Sequence, residues 1–451
     1  VLDFLLQKIL LIILLITSTA LSLGNVAFGQ DAPPLQGQSI SLPGAEPASL
    51  RGAEALSLSQ AQTIALRQNR DVLEAQLEVS KTEANLKSVI TTRFPKILGI
   101  AYIGQQVTEV HGTGKYPENL AVLPGVFQPV TQQYRLGLEV QEARNRARIA
   151  QQRLRLTKQQ TVAAVKRIYL SMLALQSATA GLARNLDFLV ELERYVKFEV
   201  EKGSALAVDL LLVQAREAHA DFELDQTRDD LITLGETLNR LLGRSPQSKI
   251  ILTEEPATTF TDINDSATIS EAIAKRPELA ELKLDVSQHH LESKIELSRY
   301  IPDISVGALG SFSRYFNPPL PNSLVSIGFL GVWEPWDWGR RIQLSKEADR
   351  AMQQSKVKLL DFTDSVAISA DKARRALKVS VKEVKAGALA ESSTQEQLRV
   401  VDQRFKVGSA LLKDVLEAQS AYVTAIADNV KAKTNFATVR VDLDEALGRD
   451  F

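Results

Sequence analysis

The 451-residue chain contains no cysteine. That excludes disulfides, thiolate catalysis, Cys-ligated metals and lipid attachment at an N-terminal cysteine. Surplus charge is also missing: 53 Lys and Arg stand against 54 Asp and Glu, so no global field favours nucleic acid or an acidic partner. Proline is absent between Pro129 and Pro246 and again after Pro335. A proline inside a helix costs roughly 3 kcal/mol, so two long proline-free runs at related positions predict very long helices. Beyond the N-terminus no apolar run has the length of a spanning helix, and a membrane-crossing form of the chain would have to be a β-barrel. There is no phosphate loop, no HExxH pair and no nucleophile elbow, and His111, His219, His289 and His290 lack metal-ligand spacing. No catalytic residue, metal site or cofactor is predicted.

The dominant positive feature is repetition. Val200-Glu-Lys-Gly-Ser-Ala-Leu206, followed by Asp209, Leu211 and Gln214, recurs as Phe405-Lys-Val-Gly-Ser-Ala-Leu411, followed by Asp414, Leu416 and Gln419. Leu242-Gly243-Arg244 recurs as Leu447-Gly448-Arg449 at the same offset, 205, and Phe94 to Ile97 pair with Ile301 to Ile304 at 207. A duplicated unit of this length implies two copies of one structural half rather than a solenoid.

Lys8, the apolar run Ile9 to Ile16, and Ala27 and Gly29 at a small-x-small site read as a secretory signal peptide. The predicted layout is a signal peptide over 1–29, a flexible Pro/Gly-rich arm over 30–55, a first repeat over 56–245, a linker over 246–266 and a second repeat over 267–451. Ser57 or Ser59 is the expected first N-cap. Leu175, Leu182, Leu186, Leu189 and Val196 mark a packed helical seam. Gly203 and Gly408 each turn a long run into a helical hairpin, whose first arm, from about Gln141 to Val200, would span roughly 90 Å.

Between the helices, alternating stretches predict four strands in two hairpins, at about 96–141 and about 303–334. The strands are Ile97–Val107, Tyr134–Val140 with Tyr134, Leu136, Leu138 and Val140 on one face, Ile304–Ser313, and the stretch around Val325, Ile327 and Phe329. Loops at His111–Pro117 and Asn317–Asn322 separate them. Four strands cannot close a barrel, and an open sheet in lipid leaves two unsatisfied edges, so a membrane form requires several chains to share one barrel.

These residues resemble the TolC-like outer membrane efflux protein family. The resemblance runs from Leu56 to Arg449. It is carried by Leu56-Ser-Leu-Ser-Gln-Ala61 with Ala65, Leu66, Asn69 and Asp71, by Pro95 and Pro302, and by Trp336-Asp-Trp-Gly-Arg-Arg341. Phe405-Lys-Val-Gly408 with Asp414-Val-Leu416 and Ala418-Gln419 carries it further. The resemblance implies a mainly α fold with a small β part: long helical hairpins in a trimeric α-barrel that crosses the periplasm, and four strands per chain in a shared 12-stranded outer-membrane β-barrel. It implies a passive conduit of a tripartite efflux or type I secretion system. The expected partners are two further copies of the chain, a periplasmic adaptor (membrane fusion protein), an inner-membrane efflux pump or ABC exporter, and outer-membrane lipid, with no nucleic acid. Two departures stand out. No cysteine follows the leader, and Phe198 stands further from Gly203 than Phe405 does from Gly408.

On that frame Gly203, Ser204, Ala205 and Leu206, with Gly408, Ser409, Ala410 and Leu411, are the expected adaptor-docking tips. Small exposed residues there let another helical hairpin approach closely. Asp414 and Glu417 share a helix face just after the turn, and threefold symmetry would gather six carboxylates near one axis. The resemblance makes this an acidic constriction, with Asp209 the partial counterpart in the first repeat. Trp333, Trp336 and Trp338 are the expected membrane-interface aromatics. The competing reading is a periplasmic coiled-coil scaffold or adaptor without a channel.

Overall fold

The computed structural model describes residues 54–104, 119–253, 265–314 and 323–449. The predicted signal peptide, nearly all of the predicted arm and both predicted strand-connecting loops lie outside them.

The first repeat runs β1 (Glu54–Leu56), α1 (Leu58–Gln68), α2 (Arg70–Thr91), β2 (Lys96–Gly104), β3 (Asn119–Pro129), α3 (Gln133–Glu201) and α4 (Ala207–Leu241). The second runs β4 (Ile250–Leu252), α5 (Asp265–Lys275), α6 (Pro277–Ser298), β5 (Asp303–Arg314), β6 (Ser323–Val332), α7 (Arg340–Lys406) and α8 (Leu412–Ala446). The helix pairs α1/α5, α2/α6 and α4/α8 have equal lengths of 11, 22 and 35 residues. Only α3 and α7 differ, at 69 and 67 residues, so the two-residue slip of the duplication lies inside the long helices. Each is about 100 Å long.

Local chemistry sets the ends. Ser57 caps α1 through a reciprocal pair with Gln60, whose amide donates to Ser57 Oγ at 3.2 Å while Gln60 Oε1 accepts from the Ser57 amide at 3.0 Å. Asn69 caps α2 with Oδ1 and donates through Nδ2 to the Leu241 carbonyl at 2.9 Å, tying α2 to the end of α4. In the second repeat the equivalent helix instead begins with Pro277 in its first turn, where a missing N–H costs nothing.

Midway along the molecule the two repeats build matching cores. Leu56, Ala65, Val165, Tyr169, Leu238 and Leu242 pack together in the first, and Ala272, Leu279, Val366, Ala370, Leu443 and Leu447 in the second. Tyr169 donates to the Leu56 carbonyl at 2.9 Å and so fixes β1, which pairs in parallel with β4. Glu54 and Ala55, expected in the arm, are therefore strand residues, and the expected linker contributes their partner strand. Gly243 and Gly448 end α4 and α8 with φ of 70° and 64°. A Cβ on Gly243 would stand 2.3 Å from the Gln68 carbonyl oxygen, and one on Gly448 2.9 Å from the Arg276 backbone.

The four-stranded antiparallel sheet has the order β2-β3-β5-β6. One strand departs from expectation. Tyr134 to Val140 form the first turns of α3, and the first hairpin closes with β3 at Pro129 instead of near 141. The misleading alternation has a physical origin. α3 is flanked by α2 on one side and α6 on the other. Residues two apart on a helix point about 200° apart, so they reach opposite flanks. Leu138 packs on Leu291 and Ile295 of α6, and Asn145 donates to Ser287, while Val140, Ala143 and Ala147 are buried on the other flank. β3 lacks the sequence signature of a strand because it contains Pro124, Gly125 and Pro129, which are typical of turns. Pro124 is tolerated in this inner strand because Leu123 and Pro124 fall in a gap of the β3–β5 ladder, between Val122↔Phe312 and Gly125↔Leu309.

Candidate functional site

The sheet has two distinct faces, and the register assigns them. Ile97, Ala101 and Ile103 of β2 share a face with Val122 and Val126 of β3, Val306 and Ala308 of β5, and Val325, Ile327 and Phe329 of β6. The opposite face carries Leu98, Ile100 and Tyr102, then Ala121, Leu123 and Phe127, then Ser305, Leu309 and Ser311, then Leu324, Ser326 and Leu330. Exposure distinguishes them. On β2, Ile97 and Ile103 are 76% and 77% exposed, against 49% for Leu98 and 59% for Ile100; on β6, Ile327 and Phe329 are 76% and 81% exposed, against 51% for Leu324 and 52% for Leu330. The contrast is confined to these residues of the edge strands; on β6, Val325 of the first face is 52% exposed and Val332 of the second 66%. Phe127 lies across two glycines of the second face, Gly125 and Gly307, where a Cβ on either would meet its ring at 2.5 Å. The outer edges of β2 and β6 have no strand beside them among the described residues.

Beneath the sheet, Arg135 at the start of α3 grips Asp303 at the start of β5 with two parallel hydrogen bonds of 2.9 Å. On the other hairpin, β6 runs into Trp333-Glu-Pro-Trp-Asp-Trp-Gly339. Asp337 accepts from the amides of Gly339 (3.1 Å) and Arg341 (3.0 Å). Burial alone would raise its pKa; these amides, with Arg341 and Arg340, outweigh burial and hold the carboxyl below its usual range. Arg341 is buried, pairs with Glu334 and Asp337 and lies over the Tyr300 ring at 5.2 Å, so it anchors the start of α7. The turn forces Trp338 to φ 57°, a left-handed conformation that costs a side-chain-bearing residue about 1 kcal/mol. The result is a fully presented ring: Trp338 is 90% exposed, and Trp333 and Trp336 are also exposed, Trp336 standing edge-on to Trp338 at 5.9 Å.

At the far ends of the long helices, both hairpin turns have one geometry. Gly203 and Gly408 sit at φ 78° and 74°. The Gly203 amide donates to the Val200 carbonyl and that of Ser204 to Glu199; the Gly408 amide donates to Phe405 and that of Ser409 to Arg404. These are paired Schellman caps, so the extra spacing from Phe198 to Gly203 does not change the turn. Ser204, Leu206, Ser409 and Leu411 are exposed, Ala205 and Ala410 half-buried. Val208, Leu211 and Val407 extend the exposed apolar surface around the turns.

The acids have an additional structural use. Asp209 and Asp414 are the third residues of α4 and α8, and each accepts from the amide that precedes its helix, Leu206 at 3.1 Å and Leu411 at 3.0 Å. Leucine offers no return acceptor, so each is half of a capping box. Asp414 and Glu417 are exposed, and Glu417 lies 3.5 Å from Lys413. Just above the tips, buried Gln419 of α8 donates to buried Asn185 of α3 at 2.5 Å inside the apolar seam of Leu189, Val196, Val213 and Val415. In the sequence Gln419 stands out only through the repeat and the family resemblance, and neither marks this polar tie between the two hairpins. Among the described residues no group of His, Asp and Glu is arranged to hold a metal ion, and no helix is long and apolar enough to cross a membrane.

The geometry has counterparts. The structure is similar to the Campylobacter jejuni CmeC outer membrane channel (TM-score 0.77, 14% identity, covering 87% of this chain and 85% of that one). It is similar to the Vibrio cholerae outer membrane protein VceC (0.76, 14%, 87% and 96%) and to the open state of the Neisseria gonorrhoeae MtrE outer membrane channel (0.73, 17%, 87% and 89%). No curated protein matches the sequence. The outer membrane efflux protein family matches at residues 62–244 and 268–449, one segment for each repeat. With both repeats matched over most of their length and the fold shared with outer membrane channels, the chain belongs to the outer membrane efflux protein family.

Proposed function

We propose that three copies of this chain form a passive conduit from the periplasm to the exterior. The observation that carries the reading is the sheet: four strands with one wholly apolar face and two outer edges unpaired among the described residues. In lipid such edges are costly unless another strand covers them. Three sheets joined β2 edge to β6 edge give twelve strands and no edge, within the size range of small membrane barrels. The tryptophans at the end of β6 then lie at the level of the lipid headgroups. The long helices project into the periplasm.

The conduit acts by positioning and opening, without catalysis. An inner-membrane efflux pump or ABC exporter supplies the energy, and a periplasmic adaptor docks on the two duplicated tips, Gly203–Leu206 and Gly408–Leu411. The exposed leucines give that adaptor an apolar footing. Asp414 and Glu417 from three chains form the acidic ring that admits cations and repels anions, and Asp414 serves this role while capping its own helix. The test is planar-bilayer recording on the detergent-extracted oligomer. A trimer with cation-selective unitary currents is the expected result. A water-soluble monomer or dimer without channel activity would overturn it and favour the coiled-coil scaffold.

A further inference from the structure

The wall of helices beneath the sheet sorts its charges by side. α3 carries no Asp or Glu between Glu142 and Asp187, and its cations near the sheet fall into two sets. Arg146 pairs with Glu142, and Arg153 pairs with Glu281 of α6 at 2.8 Å. Arg144, Arg148, Arg155 and Lys158 follow steps of four, seven and three, and so form one stripe. Arg153 stands nine residues from Arg144, about 180° round the helix, so the stripe faces away from Glu281. α6 repeats the division. Its acids, Glu278, Glu281, Asp285, Glu292 and Glu296, all fall within about 60° of Glu281, whereas Lys283, His290 and Lys294 fall about 180–220° from it. Those three therefore share the stripe's side of the wall. Arg144, Arg148, Lys283, His290 and Lys294 are exposed. Among the described residues no acid pairs with Arg144, Arg148, Lys158, Lys283 or Lys294.

The same side of α3 continues through Val162, Val165, Tyr169 and Met172, where Val165, Tyr169 and Met172 hold β1 and α1. On the inner side of a tube whose wall is one helix thick, β1 and α1 would fill the bore. The stripe is therefore on the outside, a step that rests on the reading of the chain as a conduit. Arg144 and Lys158 lie 11 and 25 residues into α3, about 17 and 38 Å from its sheet end, and Lys283 lies about 22 Å from that of α6. Most of the patch is thus too far from the sheet to reach lipid headgroups. It also lacks the apolar centre of a protein–protein interface: α3 exposes no large apolar side chain between Tyr134 and Phe198, and α6 exposes only Leu297, beside the sheet. We propose that this outer face docks the carboxylate-bearing polymer of the cell wall, peptidoglycan, which surrounds any tube that crosses the periplasm. Arginine forks suit carboxylates. The stripe is about 21 Å long, so several carboxylates engage it at once. Three copies present it in three directions, as a surrounding mesh requires.

The test is co-sedimentation of the detergent-extracted oligomer with purified peptidoglycan sacculi. Capture should fall as the salt concentration rises from about 0.05 M to about 0.5 M, because the charges are exposed and screened. A quadruple variant, Arg144→Gln, Arg148→Gln, Lys283→Gln and Lys294→Gln, should keep its oligomeric mass and bind about tenfold more weakly. Arg146→Gln with Arg153→Gln, which removes charge from the opposite side, should bind like wild type. Sacculi with amidated carboxylates should capture none of these proteins. Wild-type capture of the quadruple variant, or an equal loss in the double variant, would overturn the assignment of this surface. Undiminished capture by amidated sacculi would overturn the carboxylate ligand. Phosphatidylglycerol retained in native mass measurement and lost in the quadruple variant, without capture by sacculi, would give the face to lipid instead. An oligomer that conducts ions but ignores sacculi would refute this surface and leave the conduit standing. One that binds sacculi through these residues but carries no current would refute the conduit and leave the surface.

Discussion

Substituting acids into the outward flanks of α4 and α7 should break the assembly into smaller species. In the tip half of the molecule the helices lie in the order α4, α3, α8, α7, so α4 and α7 are the edges of the sheet of helices. The exposed apolar side chains concentrate on those two. Leu211, Phe222 and Ile232 recur along α4 at steps of 11 and 10, and Val357, Ile368, Val379 and Leu389 along α7 at steps of 11, 11 and 10. An eleven-residue step is three helical turns, so each set stays on one flank. α8, packed on both sides, carries none among its described residues.

The stagger of the two hairpins sets the register: Gly181, 20 residues before the end of α3, lies against Ile426, 14 residues after the start of α8, so the second turn sits about 9 Å above the first. Ile232, 25 residues after the start of α4, and Leu389, 17 residues before the end of α7, then share a level about 35 Å above the first turn. Ile232 and Val379 are each about two-thirds exposed in the single chain. Covering each recovers about 1–2 kcal/mol. With three interfaces per ring, Ile232→Asp should cost the trimer about 3–6 kcal/mol before the desolvation of the carboxylate. Native mass measurement in detergent should show Ile232→Asp and Val379→Asp shifting from trimer to monomer. In the cysteine-free background, Ile232→Cys with Leu389→Cys should be joined between chains by a short bis-maleimide, and Ile232→Cys with Val379→Cys should not. An intact trimer in both acid variants, together with the out-of-register pair crosslinking in preference, would refute the pairing.

Other outcomes follow from single residues. Gly203→Ala should lower unfolding stability in detergent by about 1 kcal/mol, the left-handed backbone cost alone, because nothing lies within 4 Å of its Cβ position. Gly243→Ala should cost about 2–4 kcal/mol, since the Gln68 carbonyl must also move. Asp414→Asn and Asp414→Ala should both reduce cation selectivity, while only the alanine should lose about 1 kcal/mol of helix capping; unchanged selectivity in both would leave capping as its sole role. Glu271, hydrogen-bonded to Arg449 and Lys275, has a pKa lowered to about 2. Its contribution is therefore present above the unfolded-state value of 4.5 and lost as pH falls towards 2. Glu271→Gln should destabilise by about 1 kcal/mol at neutral pH, because the pair is partly exposed, and the difference from wild type should vanish in acid unfolding curves. All three tryptophans sit at one junction, so emission should be quenched more by lipids brominated near the headgroup than by those brominated at the chain end.

The sequence revealed what depends on local rules. Proline-free runs and two Gly-Ser-Ala turns sufficed for the helical hairpins, because a helix of this length needs only the absence of breakers and a place to reverse. The offsets of 205 and 207 even located the slip, since the structure confines it to α3 and α7. Tyr134 to Val140 failed for a reason that recurs wherever helices form a wall. A helix with neighbours on both flanks buries positions two apart, here Leu138 and Val140, and that part of the pattern has the period of a strand. β3 failed for the opposite reason. Pro124 reads as a turn until its gap in the hydrogen-bond ladder is known.

The acids near the tips show why a site is harder to read than a fold. Asp209 and Asp414 are duplicated, and duplication alone invites a shared function. Their common role is structural: each holds the amide that precedes its helix, a contact legible only once the helix starts at Ala207 and Leu412 are known. Glu417 has Leu212 at its counterpart position and makes no such contact. It pairs only loosely with Lys413 and leaves its charge in solvent. The duplication thus preserves the cap in both repeats and places the additional carboxylate on one hairpin alone. If the acidic ring acts in gating or selectivity, the second hairpin carries that asymmetry. Glu417→Gln, which removes charge without touching a cap, should reduce cation selectivity with no loss of stability, and unchanged selectivity in that variant would remove Glu417 from the ring.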